Sequence, residues 1–202
     1  SRPTILYAPT WSASSSLNIM GMDLLKGLLD RPWNVLVKLH DRSRDPRPFY
    51  SGGVDWVSKI GALMSGRAGR LIDDADICPY LAAADVMISD HSSAGFEYLL
   101  LDRPLVRIHV PQLIETSNIA PEYLDLLMDA SRSVNGPDEA LDAVERGLSD
   151  PSEGSASRRA VADDLFYRAG SATARAVAEL YGVLELAPIP HAQTFAAREP
   201  VV

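Results

Sequence analysis

The chain has 202 residues, 47% hydrophobic and 23% charged, enough to bury one sizeable core and wrong for a disordered or fibrous chain. Asp and Glu number 27 against 19 Lys and Arg, a net charge of −8, so long-range attraction to nucleic acid or an anionic membrane is not expected and an anionic ligand must be held locally. The single Cys78 excludes an internal disulfide, no run of about 20 apolar residues could span a bilayer, and the cytoplasm is the expected compartment.

Thr4 to Ala8 reads as a first buried strand, ended by Pro9 and followed by the hydroxyl-rich loop Thr10-Trp11-Ser12-Ala13-Ser14-Ser15-Ser16. A core strand with so little lead-in suggests a domain cut from something longer. Leu24, Leu25, Leu28 and Leu29 recur at helical spacing, so Leu17 to Leu29 is expected to be a helix that stops before Pro32. Val35-Leu36-Val37-Lys38-Leu39 is a second strand, delivering His40 and Asp41 to a loop with Arg42, Arg44 and Arg47. Gly53 to Met64 reads as a helix, Leu71-Ile72 as a short strand, and Ile77 to Ala84 as a helix with Asp76 at its N-cap and Cys78 in its core.

Val86-Met87-Ile88-Ser89 is a strand, Asp90-His91-Ser92-Ser93 a tight turn, and Phe96, Leu99 and Leu100 mark the helix after it. Leu105 to Val110 is a further strand. Pro121 to Ala130 and Pro137 to Leu148 read as helices with Ser133-Val134 as an edge strand between them; Ser157 to Tyr167 and Thr173 to Leu184 close the domain. This alternation predicts an α/β fold, a Rossmann-like parallel sheet with helices on both faces, over residues 1–186, with 187–202 as a tail.

In such a sheet the ligand crevice lies beyond the carboxyl ends of the strands. That rim gathers Pro9 to Ser12, His40, Asp73 to Asp76, Asp90 to Ser93 and His109 to Pro111. Asp90, Ser92 and Ser93 are helix-capping residue types, Gly95 would let the backbone approach a ligand, and a phosphate is the ligand that free amides at a helix start favour. The bland reading is that the turn only caps its helix. Asp90-His91-Ser92 spells a hydrolytic triad on paper, but neighbours in a tripeptide point in different directions. Asp74-Ala75-Asp76 resembles a metal-binding Asp-x-Asp, yet Asp76 sits where the next helix needs a cap, so no metal or other cofactor is expected.

Tyr7-Ala8-Pro9-Thr10-Trp11, Lys38-Leu39-His40, Ile88-Ser89-Asp90-His91-Ser92-Ser93, Phe96-Glu97-Tyr98 and Arg103-Pro104 occur in the order and at roughly the spacing seen in CDP-glycerol glycerophosphotransferases, the teichoic-acid primases and polymerases. The resemblance covers residues 3 to 110, and more weakly Arg168 to Thr173. It implies the donor-binding, carboxyl-terminal half of a GT-B fold, with a nucleotide-diphosphate donor such as CDP-glycerol as ligand. It implies that Thr10, Lys38, Asp90, His91, Ser92, Ser93 and Glu97 hold the donor and that His40 stabilises its phosphates as the catalytic group. The family's general base belongs to a His-Gly-Thr-Pro motif in the amino-terminal half, which this chain does not contain; that half is the implied partner, and peripheral attachment to the inner membrane face would fall to it.

Three positions depart from the family pattern: Ser12 stands where Arg is usual, Asp41 where Pro is usual, and His91 where Tyr is usual. His91 and the arginines at 42, 44 and 47 could restore the lost positive charge. The rival readings are a GT-B glycosyltransferase or nucleotide-sugar epimerase domain using a sugar nucleotide, and a degenerate domain kept for protein association.

Overall fold

The computed structural model describes residues 2–117 and 119–187. Aliphatic and β-branched runs form six strands: β1 (Thr4–Tyr7), β2 (Asn34–Lys38), β3 (Gly69–Ile72), β4 (Val86–Ser89), β5 (Leu105–Ile108) and β6 (Arg132–Val134). All neighbours pair in parallel, in the order β3-β2-β1-β4-β5-β6. Strands buried on both faces have no polar side to show, which is why β1 and β4 read as unbroken apolar runs. The order reverses between β1 and β4, so the loops that leave these two strands turn to opposite faces and open a crevice at their carboxyl ends.

The helices are α1 (Ser16–Leu29), α2 (Pro48–Ser51), α3 (Trp56–Met64), α4 (Cys78–Ala83), α5 (Ser93–Leu99), α6 (Pro111–Thr116), α7 (Pro121–Asp129), α8 (Pro137–Ser149), α9 (Ser155–Leu165) and α10 (Ala172–Val183). Leu17, Leu24, Leu25 and Leu28 of α1 form one core with Ile60 of α3, Val144 of α8 and the strand residues Ile5, Val35, Val86 and Val106. Each such side chain, fully buried, contributes about 1.5–3 kcal/mol. Leu105 is in register with Met87 and so faces the other way from Val86; there it lies beside Gly95 of α5 and Leu127 of α7. Both faces are therefore covered, as the sequence pattern predicts.

Two boundaries differ from expectation for local reasons. The helix expected from Gly53 starts at Trp56, because Gly52 and Gly53 take φ of 70° and 81° and the Asp55 carboxylate accepts from the Ser58 amide at 3.0 Å, fixing the cap there. The arginine-rich loop contains a 3-10 turn at Asp41–Arg44 and then α2. Cys78, expected in the core, is exposed at the first position of α4. That helix presents Leu81, not its first turn, to the interior.

Contacts divide the chain into units of Ser1–Val161 and Ala162–Val202. The first holds the sheet. Within it Arg158, nearly buried, donates to Asp102 Oδ1 at 3.0 Å and to the carbonyl oxygens of Pro151 and Glu153 at 2.8 and 2.6 Å, tying the loop before α9 to the turn after α5. In the second, Arg175 of α10 donates to the Tyr167 carbonyl at 2.8 Å and stacks over its ring. Apart from Ala187, the expected tail lies outside the described residues, His191 included. Among the described residues no helix is long and apolar enough to cross a membrane.

Candidate functional site

The crevice between β1 and β4 is built around a buried carboxylate. Asp90, the residue after β4, is 1% exposed. Its Oδ1 accepts from the Thr10 amide at 2.8 Å, and its Oδ2 accepts from the Ser16 amide at 3.0 Å and the Ser16 hydroxyl at 2.8 Å. The Ser16 and Tyr7 hydroxyls are 2.8 Å apart; since Ser16 donates to Asp90, Tyr7 donates to Ser16. One side chain from β4 thus fixes the loop after β1 and the first turn of α1, whose free amides favour a negative charge. Burial pushes the Asp90 carboxyl above the ordinary aspartate range, against the pull of the Thr10 and Ser16 hydrogen bonds. Beside it, Ser89 Oγ donates to the Ala8 carbonyl at 2.7 Å, joining the same two strand ends.

The Thr10 loop carries Trp11 toward the end of β2. The Trp11 and His40 ring centroids are 6.2 Å apart, the Arg42 guanidinium lies 4.2 Å above the Trp11 ring, and Phe49 and Tyr50 of the α2 turn stand 6.2 and 5.9 Å away. The Asp90 corner and His40 therefore occupy one rim, linked through two consecutive residues, Thr10 and Trp11. His40 is exposed, and its Nδ1 accepts from the Arg42 amide at 3.1 Å. The neutral ring then carries its proton on Nε2, which is left to donate outward. Burial lowers the His40 imidazole below its ordinary value, with Arg42 and Lys38 adding to the effect and Asp41 opposing it.

A cleft of about 610 Å³ runs along this rim, lined by Thr10, Trp11, Ser12, Phe49, His91, Thr116 and Ile119. That is the size range of small-molecule sites. A second hollow, of about 560 Å³, lies at the amino ends of β5 and β6, away from this rim; in it Glu153 accepts from Arg132 at 2.7 Å.

The remaining expected site residues divide into two groups. His91 and Thr10 line the cleft, while Ser92 is the N-cap of α5, its Oγ accepting from the Ala94 amide at 3.3 Å. Ser93 is exposed at the first position of that helix. Lys38 is buried instead, its Nζ donating to the Leu39 carbonyl at 3.0 Å. Glu97 is exposed on α5, where its charge is felt at Cys78 of α4. Asp90 faces inward, with its hydrogen bonds spent on the protein, so its part in the site is to position the Thr10 loop.

Gly95 is corrected too. Its close approach is to Leu127 and Leu105, not to the crevice. Of the three arginines expected to restore charge, Arg44 pairs with Asp73 and Arg47 with Asp45, leaving Arg42 at Trp11. Asp76 accepts from the Cys78 amide at 2.9 Å and Asp74 from the Tyr80 hydroxyl, so both serve the start of α4. Tyr98 and Arg103 are structural as well: both donate to the Ala84 carbonyl at the end of that helix, at 3.0 and 2.6 Å. Two residues escaped sequence reasoning. Ser16 sat unmarked in a serine run, and Arg107, a fully buried cation in β5, was passed over inside an apolar strand although a charge there was itself the signal.

No curated protein sequence matches the chain. Among solved structures, the wall teichoic acid polymerase TagF superposes with a TM-score of 0.56 at 18% identity, over 80% of this chain and 39% of its own. A TagF variant soaked with CDPG gives 0.54 at 21% identity, over 81% and 37%. MurG of Acinetobacter baumannii gives 0.51 at 16% identity, over 79% and 45%. At these identities the likeness is one of fold, the Rossmann-like half of a GT-B enzyme, and this chain spans less than half the length of each. The sequence itself carries the finer assignment: residues 1–181 match the profile of one family over most of the chain, and the protein belongs to that family, CDP-Glycerol:Poly(glycerophosphate) glycerophosphotransferase.

Proposed function

We propose that the chain is the donor-binding half of a GT-B transferase that moves glycerophosphate, or a related polyol phosphate, from a CDP-linked donor to an acceptor hydroxyl in cell-envelope polymer synthesis. Residues 1–186 are its domain and 187–202 its tail. The observation that carries this reading is a cleft lined by Thr10, Trp11 and His91 at the switch point of the sheet, with His40 beside Trp11 at the end of β2, in a member of this family. A nucleotide lying across that crevice would meet the exposed Phe49 ring and the half-buried Trp11 ring, which suit a base, and the Nε2 donor of His40, which suits a phosphate.

In this mechanism the acceptor oxygen attacks the glycerol-bearing phosphorus in line. A new P–O bond forms as the bond to the CMP phosphate oxygen breaks, and CMP leaves. His40 donates a hydrogen bond from Nε2 to the phosphate oxygens as charge shifts toward CMP. The proton of the attacking hydroxyl goes to a base on a second Rossmann-like half, which also supplies the acceptor side and any attachment to the inner membrane face. Calorimetry with CDP-glycerol, UDP-sugars and GDP-sugars tests the reading. CDP-glycerol is expected to bind, and His40→Ala to weaken it; preference for a sugar nucleotide would move the assignment to a glycosyltransferase, and binding of none would favour an association domain.

A further inference from the structure

Two buried side-chain atoms among the described residues lack a hydrogen-bond partner: Nε of Arg107 and Nδ1 of His91. They belong to neighbouring strand ends. Arg107 of β5 is in register with Ser89 of β4 and Ser133 of β6, and His91 follows Ser89 by two residues. Residues in register on parallel strands share a face, so Arg107 lies on the side covered by α5. The Arg107 charge reaches His91, where it joins burial in holding the imidazole below its ordinary value.

Arg107 is 1% exposed, and its guanidinium makes one side-chain hydrogen bond among the described residues, from Nη2 to Ser133 Oγ at 2.8 Å. No carboxylate among the described residues pairs with it; burial alone acts on its charge. Arginine cannot shed its proton at physiological pH, and an unpaired buried cation is costly. Such a charge behind a cleft wall calls for an anion from outside the chain. His91 is that wall: it lines the cleft, with its ring edge-to-face on Phe96 at 6.2 Å. The two orphan atoms are also complementary, since Arg107 Nε can only donate while a neutral His91 can accept at Nδ1.

We propose that Arg107 is a positioning residue for His91 in a phosphate subsite at the β4–β5 rim. With phosphate bound, Arg107 Nε donates to His91 Nδ1, a bond not made in this structure, where both atoms stand without a partner; it fixes the tautomer with the proton on Nε2. His91 Nε2 then donates to a phosphate oxygen, and the buried guanidinium supplies the countercharge. The proposal rests on the donor reading only for what carries the phosphate.

The test is NMR of the 202-residue chain carrying ring-labelled ¹⁵N-histidine, titrated with inorganic phosphate, CDP-glycerol and glycerol 3-phosphate. In the wild type each bound anion is expected to move the His91 Nε2 signal and to give Nδ1 the signature of an acceptor. Competition between CDP-glycerol and glycerol 3-phosphate tells whether the phosphate belongs to the donor or the acceptor. Arg107→Met is expected to lose the fixed tautomer, to weaken phosphate binding about tenfold or more, and to melt at or above the wild-type temperature because an unpaired buried cation is gone. His91→Phe, which keeps the contact with Phe96, is expected to lose the phosphate response and still fold.

Wild-type phosphate affinity in both variants overturns the proposal, as does an Arg107→Met protein that melts far below wild type. If phosphate moves His91 but CDP-glycerol does not bind, the donor reading falls and this subsite stands. If CDP-glycerol binds the wild type and both variants equally, the donor reading stands and this subsite falls.

Discussion

Replacing Asp90 by Ala removes the acceptor for three hydrogen bonds at once: the buried amide and hydroxyl of Ser16 and the half-buried amide of Thr10. A buried donor left without a partner costs about 1–3 kcal/mol, so the two Ser16 groups sum to roughly 2–6 kcal/mol and the Thr10 amide adds less. Relief from burying a carboxylate offsets part of this, and we expect a net loss of about 3 kcal/mol. For a chain of this size that is a fall in melting temperature of about 6–12 °C. Asp90→Asn keeps one acceptor but sets its NH₂ against an incoming donor, and is expected to lose about half as much.

The pH dependence has a definite sign. The folded Asp90 carboxyl titrates above the ordinary aspartate value, so the native state binds the proton more tightly than the unfolded chain. The stability linked to that proton is present below the ordinary value and is lost as pH rises through the raised one. The deficit of Asp90→Asn relative to wild type should accordingly be larger in acid than at neutral pH. Thermal melts followed by circular dichroism measure the first quantity, and urea melts across that pH range the second. An Asp90→Ala protein that melts within about 1 °C of wild type, or an Asn deficit that grows toward neutral pH, would refute the reasoning.

His40→Ala, at an exposed position, should leave melting unchanged and weaken CDP-glycerol by about tenfold to a hundredfold, the worth of a charge-assisted hydrogen bond, as read by calorimetry. Because His40 titrates below the ordinary histidine value when free and a bound phosphate favours its protonated form, donor affinity should rise as pH falls toward that lowered value and level off below it. Gly95→Ala adds a methyl group 3.4 Å from Leu127 Cδ1 and 3.6 Å from Leu105 Cδ2, ordinary contact distances, so stability should shift by less than about 1 kcal/mol and donor binding not at all; lost binding would return Gly95 to the ligand. Cys78 should react with a thiol reagent in the folded protein, but slowly, since its hydrogen bond and proximity to Asp76 raise the thiol above its ordinary value; Asp76→Asn should speed the reaction, and a Cys78 that reacts only in denaturant would contradict its exposure.

The sheet was legible because buried parallel strands write themselves as apolar runs, and the leucines of α1 recur with the helical period. The strand order was not, since nothing local to Thr4–Tyr7 says that Val86–Ser89, some eighty residues on, will lie beside it. The rim was recognised as a set, but its division of labour was hidden. Asp90 and Lys38 look like ligand-facing residues in one dimension, and only the packed structure turns them inward to Ser16 and Leu39. Cys78 was misplaced because a hydrophobic residue in a short helix was read by type and not by which turn faces the core.

The bond from Asp90 to residue 10 goes to a main-chain amide, so it is indifferent to the side chain there and forbids only proline. Position 10 lines the cleft while its backbone is anchored from beneath. The fold thereby separates what holds the loop from what the loop displays. Selection is free to trade side chains at residue 10 without loosening the scaffold, and libraries that vary what the cleft displays should begin at that residue and leave the aspartate untouched.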